Sequence, residues 1–439
     1  MTVNYVLLET IELSQPAASI TFDNIPQTGY TDLKVVVSAR DTGDNQASIR
    51  FNSSTTSYSN IRLQGTGALA QSTTDSSTAK GIVGYSVNQT ASRTASTFGN
   101  AEIYIPNYAG STNKSFSSDG VEENNGTTAY MKLFAGLLSN TAAITSITLS
   151  ADGTFEQYST FSLYGLAAVG TTPTFGPKAT GGNIVANDGT YWYHAFLTSG
   201  TFTPAKSLSC DVMLVAGGGG GATNSNDRGA GGGGAGGYRT QTAQALTVQN
   251  YTVTIGAGGA GKTSDGSGTK GGNSSFNGLS STGGGFGTNG AITGGTGGSG
   301  GGSSNGGVSA SGNATGGAGN EGGYTPVEGY AGGNSIKNNE GYNGAGGGGA
   351  GGVGANASAY NSSDTAGGIG VAPGSTWASA TSTGVSGYYA AGGAGAGATR
   401  TGARSNAVAG TGNGGDGNAQ AFTSGNGGSG ILIIRYAIA

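Results

Sequence analysis

Histidine, cysteine and charge are scarce in this sequence, and each scarcity removes a class of chemistry. Its 439 residues hold one histidine, His194, and one cysteine, Cys210. A Ser-His-Asp or Cys-His relay would have to use that single imidazole, which stands in the aromatic run Tyr191–Phe196, where a sheet residue is the simpler account. One histidine and one cysteine cannot build a zinc cluster. A lone cysteine makes no intramolecular disulfide, and within the apolar run Leu208–Val215 it reads as a small buried hydrophobe. Charged residues make up 9% of the chain, 18 basic against 22 acidic. No basic field gathers phosphate, so nucleic acid is not an expected partner. No apolar run approaches the ~20 residues of a membrane span, and residues 1–5 lack the basic region of a secretory signal.

Motifs that remain are weak. Gly256 to Thr263 satisfies the phosphate-loop pattern G-x-x-x-x-G-K-[ST], but glycine is so frequent here that the match carries little, and Ser264-Asp265-Gly266-Ser267-Gly268 cannot readily continue as a helix. Asp265 and Asp416 lie in isolated turns outside any calcium-binding repeat. Glu122-Glu123 read as a solvated pair and Glu102 as a solvent-facing strand residue, so no carboxylate pair for glycoside hydrolysis is identifiable. The expectation is a protein that is not an enzyme and has no cofactor or metal.

What the chain does have is glycine, placed unevenly. Of 92 glycines, 19 fall in residues 1–216 and 73 in residues 217–430. The second span is thus about one-third glycine, against roughly 7% in ordinary proteins, and cannot be held by large buried side chains. It carries seven acids and seven bases, with no charge between Lys270 and Glu321.

Residues 1–170 read as an all-β domain. Segments such as Leu33-Lys34-Val35-Val36-Val37, Ser48-Ile49-Arg50-Phe51 and Thr160-Phe161-Ser162-Leu163-Tyr164 alternate apolar and polar positions between turn residues. Ten or so such strands predict a jelly-roll-like β-sandwich. Residues 131–138, interrupted by Gly136, are expected as strand or turn. Residues 171–189, with Pro173, Pro177 and four glycines, read as a linker.

Residues 190–439 form the second domain in this reading. Strands are expected over Tyr191 to Phe196, Cys210 to Val215, Leu246 to Ile255 and Ile431 to Ile438, joined in one small sheet or sandwich that brackets the glycines. Ordering 50 or more glycine-rich residues costs roughly 1 to 2 kcal/mol each in backbone entropy, and closing Val215 against Ile431 restricts the loops beforehand. The glycine runs lack the period and proline content of collagen. Packed polyproline II helices, close enough for peptide groups of different segments to bond, would give a core made of backbone. The alternative is a disordered tether, against which stand the interspersed aromatics and the apolar closing strand.

Four segments carry a resemblance: Val215-Ala216-Gly217, Gly236-Gly237-Tyr238-Arg239, Tyr251-Thr252-Val253-Thr254-Ile255-Gly256-Ala257-Gly258-Gly259, and Gly428-Ser429-Gly430-Ile431-Leu432-Ile433-Ile434-Arg435-Tyr436. Together they resemble the glycine-rich domains of bacteriophage tail proteins, over roughly residues 190–439. The resemblance implies layered polyproline II helices and recognition of a bacterial surface through tip loops that vary too much for any receptor residue to be carried over. Tyr5-Val6-Leu7-Leu8-Glu9, Asn24-Ile25-Pro26-Gln27 and Phe161-Ser162-Leu163-Tyr164-Gly165-Leu166 resemble, less specifically, β-sandwich modules of phage structural proteins.

The expected role is therefore a virion appendage subunit, a tail fibre or adhesin. Its first domain would dock to other virion proteins and its glycine domain would contact a host surface glycan or outer-membrane protein, in a homo-oligomer with a trimer preferred. Tyr324, Tyr330, Tyr342, Tyr360, Trp377, Tyr388 and Tyr389 are the candidate receptor contacts, since aromatic rings suit sugar faces and protein loops alike. A decoration protein of tail or capsid without a receptor is the second reading.

Overall fold

The computed structural model describes residues 5–43, 47–65, 69–75, 78–83, 97–122, 130–168, 176–225, 228–290, 293–305, 313–335, 343–357, 363–373, 375–420 and 422–438. They are nearly all strand and irregular backbone. Two compact units divide the chain: the first ends at Pro177 and takes back Ile184–Trp192, and the second comprises Lys178–Asn183 and Tyr193–Ala437. Candidates Tyr342 and Tyr360, and Glu123, lie outside the described residues.

Twelve strands open the first unit: β1 (Tyr5–Glu12), β2 (Ala17–Phe22), β3 (Tyr30–Ala39), β4 (Ser48–Phe51), β5 (Tyr58–Gly65), β6 (Ala70–Asp75), β7 (Gly81–Ile82), β8 (Gly99–Ile105), β9 (Lys114–Glu122), β10 (Tyr130–Leu138), β11 (Ile147–Phe155) and β12 (Thr160–Ala167). Antiparallel neighbours run β1-β12-β3-β8-β9-β10-β5-β6 in one sheet and β2-β11-β4-β7 in another. Alternation decides which side chains meet. Leu33, Val35 and Val37 of β3 and Phe161 and Leu163 of β12 share a core with Ile20 and Phe22 of β2, Ile49 and Phe51 of β4, and Ile147 and Leu149 of β11. The segment with Gly136 is a strand, paired on both sides with β9 and β5, and the glycine makes room for Phe116: a β-carbon there would lie 2.0 Å from the Phe116 ring.

The span expected to be a linker contains two short strands, β13 (Ala179–Thr180) and β14 (Ile184–Asn187). Its glycines act as turns within sheets: Gly181 and Gly182 both have φ of 104°. Next come β15 (Tyr191–Phe196), β16 (Gly200–Pro204), β17 (Leu208–Val215), β18 (Tyr238–Leu246), β19 (Tyr251–Thr254), β20 (Ser274–Phe276), β21 (Leu279–Ser281), the helix α1 (Ser375–Thr381) and β22 (Ile431–Ala437).

In the second unit β22 pairs with β17, and Val215 stands opposite Ile431, so the two ends of the glycine span are closed on each other as anticipated. The framing strands form two sheets, so the single-sheet alternative does not hold. β18-β17-β22-β15 is the first; β13-β16-β19-β20-β21 is the second, because β19 pairs with β16 and β20 and leaves β17 to β18.

Between Val215 and Ile431 the described backbone is largely without helix or strand, yet its segments are bonded to one another. Gly217 N–H donates to Gly272 O at 3.0 Å, Gly233 N–H to Gly415 O at 2.8 Å, Gly300 N–H to Tyr330 O at 2.9 Å and Gly347 N–H to Gly393 O at 2.9 Å. These partners are far apart in sequence, which excludes the tether alternative for the described residues. Side chains are missing because there is no room for them: a β-carbon on Gly217 would lie 2.0 Å from Ala257 O, and one on Gly233 2.1 Å from Gly219 O.

Asparagine and aspartate supplement the ladder. Asn334 Oδ1 accepts from Gly316 N–H and Asn356 Oδ1 from Asn334 N–H, each at 2.8 Å; Asn413 Oδ1 accepts from Ala391 N–H and Asp416 Oδ1 from Ala394 N–H. In three of the four cases donor and acceptor are 22 residues apart, so a short polar side chain satisfies an amide on the neighbouring segment.

Candidate functional site

Exposed apolar side chains of the glycine unit gather on a run of neighbouring turns. Val327, Tyr330, Val353, Ile369, Val385 and Tyr388 are all exposed, Ile369 by 68%. Backbone bonds place their segments side by side: Tyr330 N–H donates to Gly349 O, Gly351 N–H to Ile369 O, and Val371 N–H to Tyr389 O. Monomer surfaces seldom expose so many large apolar groups together without use.

Next in this row are α1 and a hairpin, and both are built by specific residues. Pro373 precedes the helix, and α1 ends where Ser382 turns left-handed at φ 51°. Thr383 N–H reaches back to Ala378 O at 3.1 Å and Ser382 N–H to Ser379 O at 3.4 Å, the paired bonds of a Schellman cap. Val385 and Tyr388 then exchange both backbone bonds at 2.9 Å around a two-residue turn, Ser386 at φ 50° and Gly387 at φ 80°. That is type I′ geometry. Glycine or asparagine normally holds such positions, and serine there costs about 1 kcal/mol each.

Between helix and hairpin lies an open depression of about 510 Å³, lined by Ala372, Ala378, Ser379, Ser382, Thr383, Gly384, Ser386 and Gly387. Among the described residues no charged side chain lines it. Its base is fixed by a chain of hydroxyls: Thr381 Oγ1 donates to Trp377 O at 2.7 Å and lies 2.7 Å from Thr383 Oγ1, which is 2.6 Å from Tyr389 Oη. Burial raises the Tyr389 phenol above its ordinary pKa, and the two threonines partly offset this.

The candidate rings therefore divide. Tyr389 is fully buried and Trp377 nearly so, with Trp377 edge-on to Tyr193 at 6.1 Å and under the Arg435 guanidinium at 4.6 Å. Neither can meet a surface molecule; both hold the site up. Tyr330 and Tyr388 are exposed in the row. Tyr324 is half-buried beneath Arg239, 3.8 Å from its ring, in a loop that Asn320 organises by accepting from Tyr324 N–H and Glu328 N–H. Sequence reasoning missed Val353, Ile369 and Val385, which as lone aliphatics among glycines gave no periodic signal. It also missed Ser382 and Ser386, whose only mark is their backbone angle.

A family profile described as a glycine-rich domain matches residues 197–437, more than half of the chain. The chain belongs to this glycine-rich domain family. No curated protein matches the sequence.

Elsewhere in the glycine-rich domain the weak motifs are occupied internally. In the phosphate-loop look-alike the amides of Gly256, Gly259, Ala260, Gly261 and Lys262 donate to Ser274 Oγ, Gly218 O, Thr269 Oγ1, Asn426 Oδ1 and Ser424 Oγ. None of these is left for a phosphate. Asp265 Oδ1 accepts from Ser225 N–H and Asn289 Nδ2, and Asp416 bonds Ala394 N–H. His194 is buried, its Nδ1 2.6 Å from Gly181 O and its Nε2 2.9 Å from Tyr436 Oη. Burial lowers its pKa to about 4 and pushes the Cys210 thiol up to about 12, so neither group is poised for nucleophilic chemistry. In the first unit Glu102 pairs with Lys34 at 2.6 Å on the surface. Among the described residues no three His, Cys, Asp or Glu side chains converge on a metal-sized site.

Proposed function

We propose that the protein is a bacteriophage virion appendage subunit that attaches through its first unit and contacts the host surface through the turns of its glycine-rich domain. The observation that carries this is the row from Val327 to Tyr388, in which exposed apolar and aromatic side chains stand on turns of a domain held by backbone bonds. Such a body can vary its turns without touching its core, which suits recognition of a changing glycan or outer-membrane protein. In this reading the bonded glycine segments are polyproline II helices and the first unit is jelly-roll-like. The subunit works on the virion as a homo-oligomer, with a trimer preferred, alongside other virion proteins and without nucleic acid or membrane insertion.

One observation favours a structural role without a receptor. On adjacent strands β9, β10 and β5, Val121, Leu133, Leu137, Ile61 and Leu63 are exposed on one face, with Leu133 directly opposite Leu63. A flat apolar sheet face suits assembly. Labelled full-length protein separates the two readings. Saturable capture by host cells, competing with adsorption of intact particles, supports the receptor role. A protein found in the particle that neither binds cells nor blocks adsorption would leave the structural role.

A further inference from the structure

We propose that the depression between α1 and the 385–388 hairpin binds an uncharged sugar ring, a hexopyranose unit, through the hydroxyls of Ser382 and Ser386 and the ring of Tyr388. This rests on the host-contact reading above and names the ligand class of that surface.

Two serines in unfavourable backbone angles are the starting point. Ser382 occupies the left-handed position of the helix cap and Ser386 the first central position of the type I′ turn, where glycine would be free of strain. Other non-glycine residues of the domain also take left-handed angles, Ala243, Asn277, Asn320, Ala390 and Gln420 among them, and Ser382 and Ser386 are the two that line the depression, where each brings a hydroxyl to its wall. Both serines are exposed and both line the depression.

The lining then selects the ligand. A hydroxyl donates and accepts, as sugar hydroxyls do. Among the described residues no lysine or arginine lines the depression to balance a carboxylate, sulfate or phosphate. Alanine and glycine walls allow close approach, and the volume of about 510 Å³ is of small-ligand size. Tyr388 does not line the depression, but it is exposed and follows Gly387, which does, so its ring would take the sugar C–H face at the rim. The Thr381-Thr383-Tyr389 hydroxyl chain fixes the base in advance, which reduces the ordering cost of binding.

The test uses the purified full-length chain and saturation-transfer NMR with glucose, galactose, mannose and N-acetylglucosamine against glucuronic and galacturonic acids. At least one neutral hexose is expected to bind, with the acids at least tenfold weaker. The double variant Ser382→Gly/Ser386→Gly should raise the thermal midpoint while weakening the hexose at least tenfold, a combination that a merely structural role for the serines does not produce. Ser382→Ala/Ser386→Ala should weaken binding without that gain in stability, and serves if the glycine variant misfolds. The inference is overturned if no neutral hexose binds, if the acids bind equally well, or if both double variants bind like the parent. Capture of host cells without hexose binding defeats this inference alone. Hexose binding without cell capture defeats the host-contact reading and leaves the site.

Discussion

Gly219 and Gly285 approach so closely that a β-carbon on Gly219 would stand 2.1 Å from the carbonyl oxygen of Gly285. Gly219 also donates to Gly234 O at 2.8 Å and accepts from Gly415 N–H at 2.9 Å, so its segment is tied to neighbours and cannot retreat. Gly219→Ala should therefore destabilise the glycine-rich domain by at least about 3 kcal/mol, beyond the usual overpacking penalty because the obstruction is backbone. Gly200→Ala is the control, since a β-carbon there meets only the Phe196 ring at 3.5 Å. Denaturant melts of both variants check this; equal midpoints would mean the segments can separate.

That contact explains what the sequence could and could not disclose. Alternating strands such as Leu33 to Val37 and the closing strand before Tyr436 are legible, because period-two burial is written in side-chain identity. A core of peptide groups is written only as glycine frequency, which says that no side chain fits and not which segments meet. The strands within residues 171–189 were hidden by the glycines and prolines that read as linker, although Gly181 turns the chain between β13 and β14. Tyr389 and Tyr388 are adjacent and chemically identical, yet one is buried and the other exposed; only the hairpin decides which. Ser382 and Ser386 are invisible in sequence, since strain belongs to φ and not to residue type.

His194 makes stability depend on pH. Its Nδ1 hydrogen points to Gly181 O, so the neutral ring accepts from Tyr436 Oη through Nε2, and burial holds the folded pKa at about 4 against an ordinary 6.5. Because the folded state binds the proton less readily, the neutral ring's contribution is fully present above pH 6.5 and is lost as pH falls from 6.5 to about 4. The loss is on the order of 3 kcal/mol. Chemical denaturation across that window should show the decline in the parent and a shallower one in His194→Gln.

Lys114 in the first unit is buried, with no carboxylate partner among the described residues, and its Nζ donates to the carbonyls of Gly110, Thr112 and Thr141. Lys114→Met keeps the length of the side chain and removes the donors, leaving those carbonyls to whatever water can enter. A loss of about 2 to 4 kcal/mol is expected. It should appear in the melting of the first unit and leave hydrogen-exchange protection around Gly233 and Gly347 unchanged. Simultaneous loss of protection there would contradict the division into two units.

Trp377 of α1 and Tyr388 of the following hairpin should fail in opposite ways. Trp377 is packed between the Tyr193 ring and the Arg435 guanidinium, which is itself bonded to Asp211 at 3.0 Å. Removing the indole empties the space under α1, so Trp377→Ala should cost about 3 kcal/mol or more and loosen the helix. Tyr388 is 48% exposed, and Tyr388→Ala should change stability by no more than about 0.5 kcal/mol. If the exposed row meets the host surface, Tyr388→Ala lowers cell capture at unchanged thermal midpoint. A Tyr388→Ala protein that melts with the parent and still captures cells fully would remove Tyr388 from the contact and leave Tyr330 and Ile369 to be tested in its place.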